Sequence, residues 1–185
     1  LIGSCKHSDI STFSFHPLKT ITTGEGGLVT TNKEKISKKI KELRSHGIKK
    51  NNNKHWSYDV NIIGYNYRLS DINAALGVSQ LKSINKILSK RKKIFLNYFR
   101  KLDKYMDVIS IVKPEAKTDP SYHLILANIN FKKLNIDKNS FLRKLYYKKI
   151  ISQFHYIPAY DFKIYKKKHK KLPQCEEYKA NSLSL

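Results

Sequence analysis

A stripe of apolar residues at helical spacing runs from Ser70 to Leu102 and constrains the fold more than any other feature of the chain. The stripe consists of Ile72, Ala75, Leu76, Leu81, Ile84, Leu88, Phe95 and Leu102. Ser70 can cap a helix at its start, and an unbroken helix would be roughly 50 Å long at 1.5 Å per residue. Because such a helix is a natural connector between two domains, the sequence predicts one domain over residues 1–90 and a smaller α+β domain over residues 91–185.

The net charge of +23 limits the classes of function. Of the 37 basic residues only 5 are arginines, and lysines more often occupy solvated faces than make the bidentate contacts of nucleic-acid binders. We therefore expect no nucleic-acid partner, and a basic nucleic-acid-binding module remains the alternative from another class. The polar loop 49–54 and the basic run 163–171 are interpreted in the same way, as solvated segments.

Other sequence features bear on location and completeness. With no apolar run of about 18 residues, a membrane span is not expected. Cys5 and Cys175 lie far apart without a C-x-x-C pattern, which excludes a cysteine zinc site and fits a reducing, cytoplasmic compartment. The chain begins with Leu1 and ends at Leu185 inside an apolar-patterned stretch, so we expect it to be a fragment of a longer protein.

The first part of the chain predicts two strands around a glycine-bearing loop. Ser8–Phe15 is rich in β-forming residues, and Pro17 ends the strand because proline cannot continue a ladder. Residues 20–27 form the loop, and Leu28–Thr31 predicts the second strand. A capping box at Thr31–Glu34 then predicts a helix.

The second part predicts a small α+β module. Val108–Val112 and Tyr122–Phe131 are strand candidates, and Asp137 can cap a helix. Ile150–Tyr156 is expected to return as a strand. This strand–helix–strand order indicates a crossover unit.

Lys19 is the residue whose position most indicates chemistry. It places a primary amine just after a predicted strand, and α/β proteins build sites at such strand ends. A lysine amine can form a Schiff base with a carbonyl group. By itself the residue indicates little, because most lysines are solvent-facing charges.

The surrounding motifs change this interpretation. The string SDISTFSFHPLKTITTGEGGLVTT resembles the lysine region of the DegT/DnrJ/EryC1/StrS family of sugar aminotransferases. Three further blocks agree in order: Arg44–Gly47, Gly64–Leu69, and Ala74–Gly77 with Gln80 and Leu81. Gly3–Asp9, Tyr122–Leu124 and the His155–Pro158 segment are similar to the pseudaminic-acid branch. The resemblance covers nearly the whole chain, more loosely after Leu102.

This resemblance implies a fold and a cofactor. Family members are α/β proteins with the fold type I of pyridoxal-phosphate (PLP)-dependent transferases, like aspartate aminotransferase. The chain would supply part of the large domain and a small α+β C-terminal domain. Lys19 would be the Schiff-base lysine that shuttles a proton, Ser14 would bind the cofactor phosphate, and Asn66 would reach the phosphate of the partner subunit's cofactor in a homodimer with shared active sites.

Substrate contacts are less specific. His16, Arg68, His155 and Tyr156 match positions that can line the sugar-nucleotide pocket. The alternatives are a packing or turn histidine for His16, an acid partner for Arg68, and an exposed strand end for His155 and Tyr156.

The reaction implied is amino transfer from glutamate to C4 of a UDP-linked 4-keto-6-deoxy amino sugar, as in pseudaminic acid or surface glycan biosynthesis. A close alternative is another nucleotide-linked keto sugar. The family's first half carries a ring-stacking aromatic residue and an aspartate for the pyridine nitrogen, which cannot be assigned here. We therefore expect the 185 residues alone to bind cofactor poorly and to be inactive.

Overall fold

The computed structural model describes residues 1–50, 53–54, 56–165, 170 and 172–185, and it divides the chain into two compact units. The first unit is Leu1–Lys86 and the second is Ile87–Leu185. The predicted loop 49–54 and the basic run 163–171 lie partly outside the described residues. Within the described part of the chain, no helix has the length and apolar character needed to cross a membrane.

The first unit is built on a β-hairpin. Strand β1 (Ser11–Ser14) pairs antiparallel with β2 (Gly27–Thr30), and Ser14 lies opposite Gly27. In β1 the side chains alternate, so that Phe13 is half-buried while Ser14 is exposed. Both predicted strands are therefore confirmed in their central residues. The other elements of the unit are α1 (Glu34–Arg44), β3 (Ile48–Lys50), β4 (Tyr58–Val60) and α2 (Asp71–Lys82).

The capping box predicted at Thr31–Glu34 is wrong. Lys33 is the residue before the first helical turn of α1, and no side chain caps it. The Thr31 hydroxyl accepts a hydrogen bond from Lys33 N at 3.1 Å and donates to the Asp9 carbonyl at 2.7 Å. Thr31 is therefore used in a local turn that closes before the helix begins.

The single long helix predicted after Ser70 is two helices. Ser70 does cap α2, since its hydroxyl accepts from Asn73 N at 3.3 Å. Ser83 then interrupts the helix. Its N–H donates to the Gln80 carbonyl at 3.0 Å, and α3 (Ile84–Leu102) begins at the next residue. The apolar stripe did not reveal this break, because apolar residues keep helical spacing on both sides of one interrupting residue.

The second unit is a three-stranded antiparallel sheet with helices. Its strands β5 (Ile109–Ile111), β6 (Leu126–Ile129) and β7 (Ser182–Ser184) are arranged in the order β5-β6-β7. The core contains Phe95, Ile111, Ile125, Ala127, Ile129, Phe131 and Leu183. Besides α3, most of which lies in this unit, the described helices are α4 (Lys138–Tyr147), α5 (Pro173–Asn181) and the short 3₁₀ helices Asp103–Tyr105, Ala159–Asp161 and Lys163–Tyr165.

The predicted strands Val108–Val112 and Tyr122–Phe131 are confirmed in part as β5 and β6, whereas two other predictions for this unit are wrong. The predicted strand Ile150–Tyr156 is reduced to one isolated bridge between Gln153 and Ser184. Strand β6 pairs with β5 on one side and with β7 on the other, and because both pairs are antiparallel the described strands form no crossover unit. Asp137 does cap α4: its carboxylate accepts from Ser140 N at 2.9 Å. Hydrogen bonding to the side chain and then to the backbone of Ser140 lowers the pKa of that carboxyl.

Candidate active site

A proline-containing turn carries Lys19 away from the end of β1. The His16 carbonyl accepts a hydrogen bond from Lys19 N at 2.9 Å, which closes a four-residue turn. Pro17 occupies the second position, where its fixed φ angle favours a β-turn. Lys19 is half-buried, and no described salt bridge includes it. The amine therefore follows a turn whose backbone is closed.

Side chains brace the same turn. The Ser14 hydroxyl accepts from His16 N at 3.3 Å, and His16 Nδ1 accepts from Leu18 N at 3.2 Å. The other ring nitrogen, Nε2, lies 3.9 Å from Glu25 Oε1. Ser14, His16 and Lys19, which the sequence singled out, thus belong to one hydrogen-bonded segment.

The loop after Lys19 folds back against Phe15. Phe15 N donates to the Gly26 carbonyl at 2.9 Å, and the Phe15 carbonyl accepts from Thr23 N at 3.1 Å and from the Thr22 hydroxyl at 3.0 Å. The Thr23 hydroxyl donates to the Glu25 carbonyl at 2.8 Å, and Thr23 is only 2% exposed. Sequence reasoning missed both threonines. Their signal is a pair of hydroxyl residues beside a turn glycine, a common means of satisfying turn backbone groups.

Helix α2 packs directly against this loop. Gly77 is buried, and a Cβ atom added there would lie 2.9 Å from Thr23 Cγ2. The Leu69 side chain also approaches the loop, because its Cδ1 would lie 2.9 Å from a Cβ placed at Gly26. Gly77 therefore permits a close approach between the helix and the lysine loop that a larger side chain would prevent.

Asn66 and Arg68 belong to the segment 64–68, here called the strap, whose backbone is bonded to the end of α1. Asn66 forms an isolated bridge with Ser45, and both Asn66 and Arg68 are exposed. Among the described residues, no hydrogen bond joins either side chain to Lys19, and no ion pair includes Arg68. The strap is held by three backbone bonds of 2.9 Å each: Tyr65 N to Leu43 O, His46 N to Tyr65 O, and Tyr67 N to Arg44 O.

Two glycines bring this strap against α1. A Cβ atom added at Gly64 would lie 2.3 Å from Gly47 N and 2.9 Å from the Leu43 carbonyl oxygen. Gly47 itself has a φ of 73°, in the left-handed region that favours glycine. The position of Asn66 therefore depends on two glycines that the sequence supplied only as parts of motifs.

His155 and Tyr156 belong to the second unit and are held in different ways. The His155 ring bonds through Nδ1 to the Ser184 hydroxyl. That hydroxyl donates its one proton to the Gln153 carbonyl at 2.8 Å, so Nδ1–H is the donor to Ser184. The His155 carbonyl accepts from Tyr178 OH at 2.8 Å, whereas Tyr156 is 72% exposed. His155 is thus tied to β7, and Tyr156 projects into solvent.

Two side chains of the second unit with shifted pKa values, Lys138 and Tyr160, connect its helices. Burial lowers the pKa of the Lys138 amine, which donates to the Lys179 carbonyl and lies 3.7 Å from the centre of the Phe154 ring. Burial also raises the pKa of Tyr160 to about 12, supported by its 2.8 Å hydrogen bond to Glu176. These contacts tie α5 to its neighbours. The described residues contain no group of three or more His, Cys, Asp or Glu suited to a metal ion.

Comparison with known proteins identifies the relatives of this chain. The profile of the DegT/DnrJ/EryC1/StrS aminotransferase family matches residues 2–185. The UDP-4-amino-4,6-dideoxy-N-acetyl-beta-L-altrosamine transaminase of Campylobacter jejuni is 41% identical over 164 residues, which are 88% of this chain and 42% of the relative. The chain therefore spans less than half the length of this curated relative.

Solved structures agree with the sequence comparison. The aminotransferase PseC of Helicobacter pylori, involved in pseudaminic acid biosynthesis, matches with a TM-score of 0.88 and 34% identity, over 96% of this chain and 47% of its own. The candidate sugar aminotransferase Spr1654 of Streptococcus pneumoniae, in its PLP-form, matches with a TM-score of 0.80 and 25% identity, over 98% and 47%. The predicted fold class, part of an α/β fold type I transferase, is confirmed.

Proposed function

Because the chain belongs to the DegT/DnrJ/EryC1/StrS aminotransferase family, we propose that the intact protein is a nucleotide-sugar transaminase. It moves an amino group from glutamate to C4 of a UDP-linked 4-keto-6-deoxy amino sugar, in the cytoplasm, as a step of pseudaminic acid biosynthesis. The observation that carries this proposal is the half-buried Lys19, presented by a closed turn at the end of β1 and backed by the loop 20–27.

The residues around Lys19 fit pyridoxal 5'-phosphate. Lys19 offers a primary amine to the cofactor's aldehyde. The Ser14 oxygen is already an acceptor for His16 N, which leaves its O–H to donate to a phosphate oxygen. Asn66, exposed on its strap, offers a second donor to the phosphate bound by the partner subunit of a homodimer. When bound, the cofactor ring supplies the electron sink for the reaction.

Lys19 has two tasks that require the same atom. Its Nζ would hold the cofactor through the aldehyde, and the same Nζ would take up and return the proton of the substrate carbon. The closed turn holds the Lys19 backbone, while the four-carbon stem lets the amine move between these positions. A guanidinium stays protonated and cannot take up that proton.

The remaining site residues are assigned to the sugar nucleotide. The exposed Arg68 guanidinium, in no described ion pair, is suited to bidentate bonding with a diphosphate. In the second unit, His155 presents its unprotonated Nε2 and Tyr156 an exposed ring. We further propose that residues 1–90 belong to the cofactor-binding domain and residues 91–185 to the small domain.

The proposed reaction can be tested by following both products. Incubation of the intact protein with PLP, glutamate and a UDP-linked 4-keto-6-deoxy amino sugar is expected to form 2-oxoglutarate and the 4-amino sugar nucleotide in equal amounts. Mass spectrometry of the nucleotide and a coupled assay for 2-oxoglutarate measure them. Turnover of a GDP-linked 4-keto sugar instead would correct the substrate, and no 2-oxoglutarate with either sugar would contradict the proposal.

Replacement of Ser14 by alanine tests the phosphate contact. The variant is expected to bind PLP about 10- to 100-fold more weakly, because it loses a hydrogen bond to a charged group. Thr12→Ala is the matched control, since Thr12 is an exposed residue of the same strand face. Titration of cofactor-free protein with PLP gives both dissociation constants. Equal affinity in the two variants would remove Ser14 from the phosphate site.

A further inference from the structure

Two successive hydrogen bonds between side chains and backbone stabilise the segment that connects β1 to Lys19. The Ser14 hydroxyl accepts from the N–H of His16, and His16 Nδ1 accepts from the N–H of Leu18. In each case a side chain bonds the backbone two residues further on, which is the pattern of Asx and ST turns. The imidazole Nδ1 here occupies the place that an asparagine Oδ1 takes in an Asx turn.

Packing does little to hold this turn. Leu18 is 72% exposed, and Pro17 and His16 are also exposed. Apart from the fixed φ of Pro17, the conformation therefore depends on the closing bond from Lys19 N and on the two side-chain bonds. Removing one of these bonds gives the backbone freedom directly before the reactive amine.

The second ring nitrogen of His16, Nε2, lies near Glu25 of the loop 20–27. Because Nδ1 accepts a hydrogen bond, the proton of the neutral ring is on Nε2. Nε2 lies 3.9 Å from Glu25 Oε1, too far for a direct hydrogen bond and close enough for an electrostatic or water-mediated contact. The Glu25 carbonyl is bonded by the buried Thr23. His16 therefore stands between the turn and the anchored part of the loop.

We propose that His16 is a positioning residue, whose Nδ1 braces the turn that presents Lys19 by accepting from Leu18 N and whose ring makes no contact with substrate. This inference rests on the proposed function, and it replaces the substrate-binding role predicted for His16. It accounts for the orientation of the imidazole, since a substrate ligand has no need to accept a hydrogen bond at Nδ1 from the backbone N–H of Leu18.

Two substitutions in the intact protein separate this role from substrate binding. His16→Asn keeps an acceptor for Leu18 N, whereas His16→Ala removes it. The alanine variant is expected to lose about 10- to 100-fold in kcat with an unchanged KM for the sugar nucleotide, because the amine is misplaced. The asparagine variant is expected to recover most of the rate. His7→Ala, at an exposed histidine, is the control and should match the wild type.

Hydrogen exchange provides a readout that does not depend on turnover. In the cofactor-free protein, the Leu18 and Lys19 amides of His16→Ala are expected to exchange about three- to tenfold faster than in wild type, and those of His16→Asn at nearly the wild-type rate. Equal exchange in all three proteins, or a raised KM shared by both variants, would overturn the positioning role. A wild type that exchanges as expected but transfers no amino group would instead refute the proposed function and leave the bracing supported.

Discussion

Arginine in place of Lys19 is expected to lower the transamination rate of the intact protein by at least about 10³-fold. The guanidinium remains protonated, so it can neither condense with the cofactor aldehyde nor accept the proton of the substrate carbon. The positive charge is kept, and the turn bonds formed by the Lys19 backbone do not involve its side chain. Initial rates of 2-oxoglutarate formation measure the loss.

Lys35→Arg is the matched control for this substitution. Lys35 lies exposed in the first turns of α1 and participates in no described hydrogen bond or ion pair. The control should have the wild-type rate and the wild-type unfolding temperature. Lys19→Arg should have the wild-type unfolding temperature but a reduced rate. A Lys19→Arg protein that transfers amino groups at the wild-type rate would remove this residue from the chemistry.

The largest expected effect on stability comes from Gly64→Ala, which should destabilise the protein by about 3 kcal/mol or more. The added Cβ would lie 2.3 Å from Gly47 N, 2.7 Å from the carbonyl carbon of His46 and 2.9 Å from the Leu43 carbonyl oxygen. All three are backbone atoms, so no rotation of a neighbouring side chain relieves the overlap. The strap must separate from the end of α1.

Gly24→Ala is the control that isolates this overlap. Gly24 has a φ of 81°, but nothing lies within 4 Å of an added Cβ, so its cost is that of the backbone angle alone, about 1 kcal/mol. Urea unfolding of the three proteins measures both changes. Equal stability of Gly64→Ala and wild type would show that the strap does not approach the helix so closely.

Separation of the strap also has a functional consequence. Asn66 follows Gly64 by two residues and is bridged to Ser45 at the end of α1. Because Asn66 is proposed to serve the partner's cofactor, Gly64→Ala should weaken PLP binding along with stability. The two glycines would thus couple the folding of α1 to the proposed cofactor site.

Local chemistry explains which parts of the fold the sequence could predict. The strand that ends before Pro17 and the caps at Ser70 and Asp137 depend on short-range properties that a few residues carry. Strand β7 was missed because Ser182 and Ser184 are polar, although both are buried in the sheet. Their burial follows from long-range pairing with β6, which no local pattern contains.

In the candidate site too, the sequence predicted the chemical groups but not the contacts between them. Motifs led to Lys19, Ser14 and Asn66 as a set of chemical groups. The bond from Leu18 N to His16 Nδ1 depends on a ring orientation, and the approach of Thr23 to Gly77 depends on how a loop meets a helix. Neither can be predicted from residue types, because both are set by the folded backbone.

The central claim is that Lys19 binds the cofactor covalently. Borohydride reduction of the intact protein with PLP, followed by peptide mass spectrometry, tests it most directly. We predict that the peptide containing Lys19 carries a pyridoxyl group at that lysine, and that Lys19→Arg carries none there. An active, PLP-containing protein with Lys19 unmodified and the label on another lysine would contradict the account.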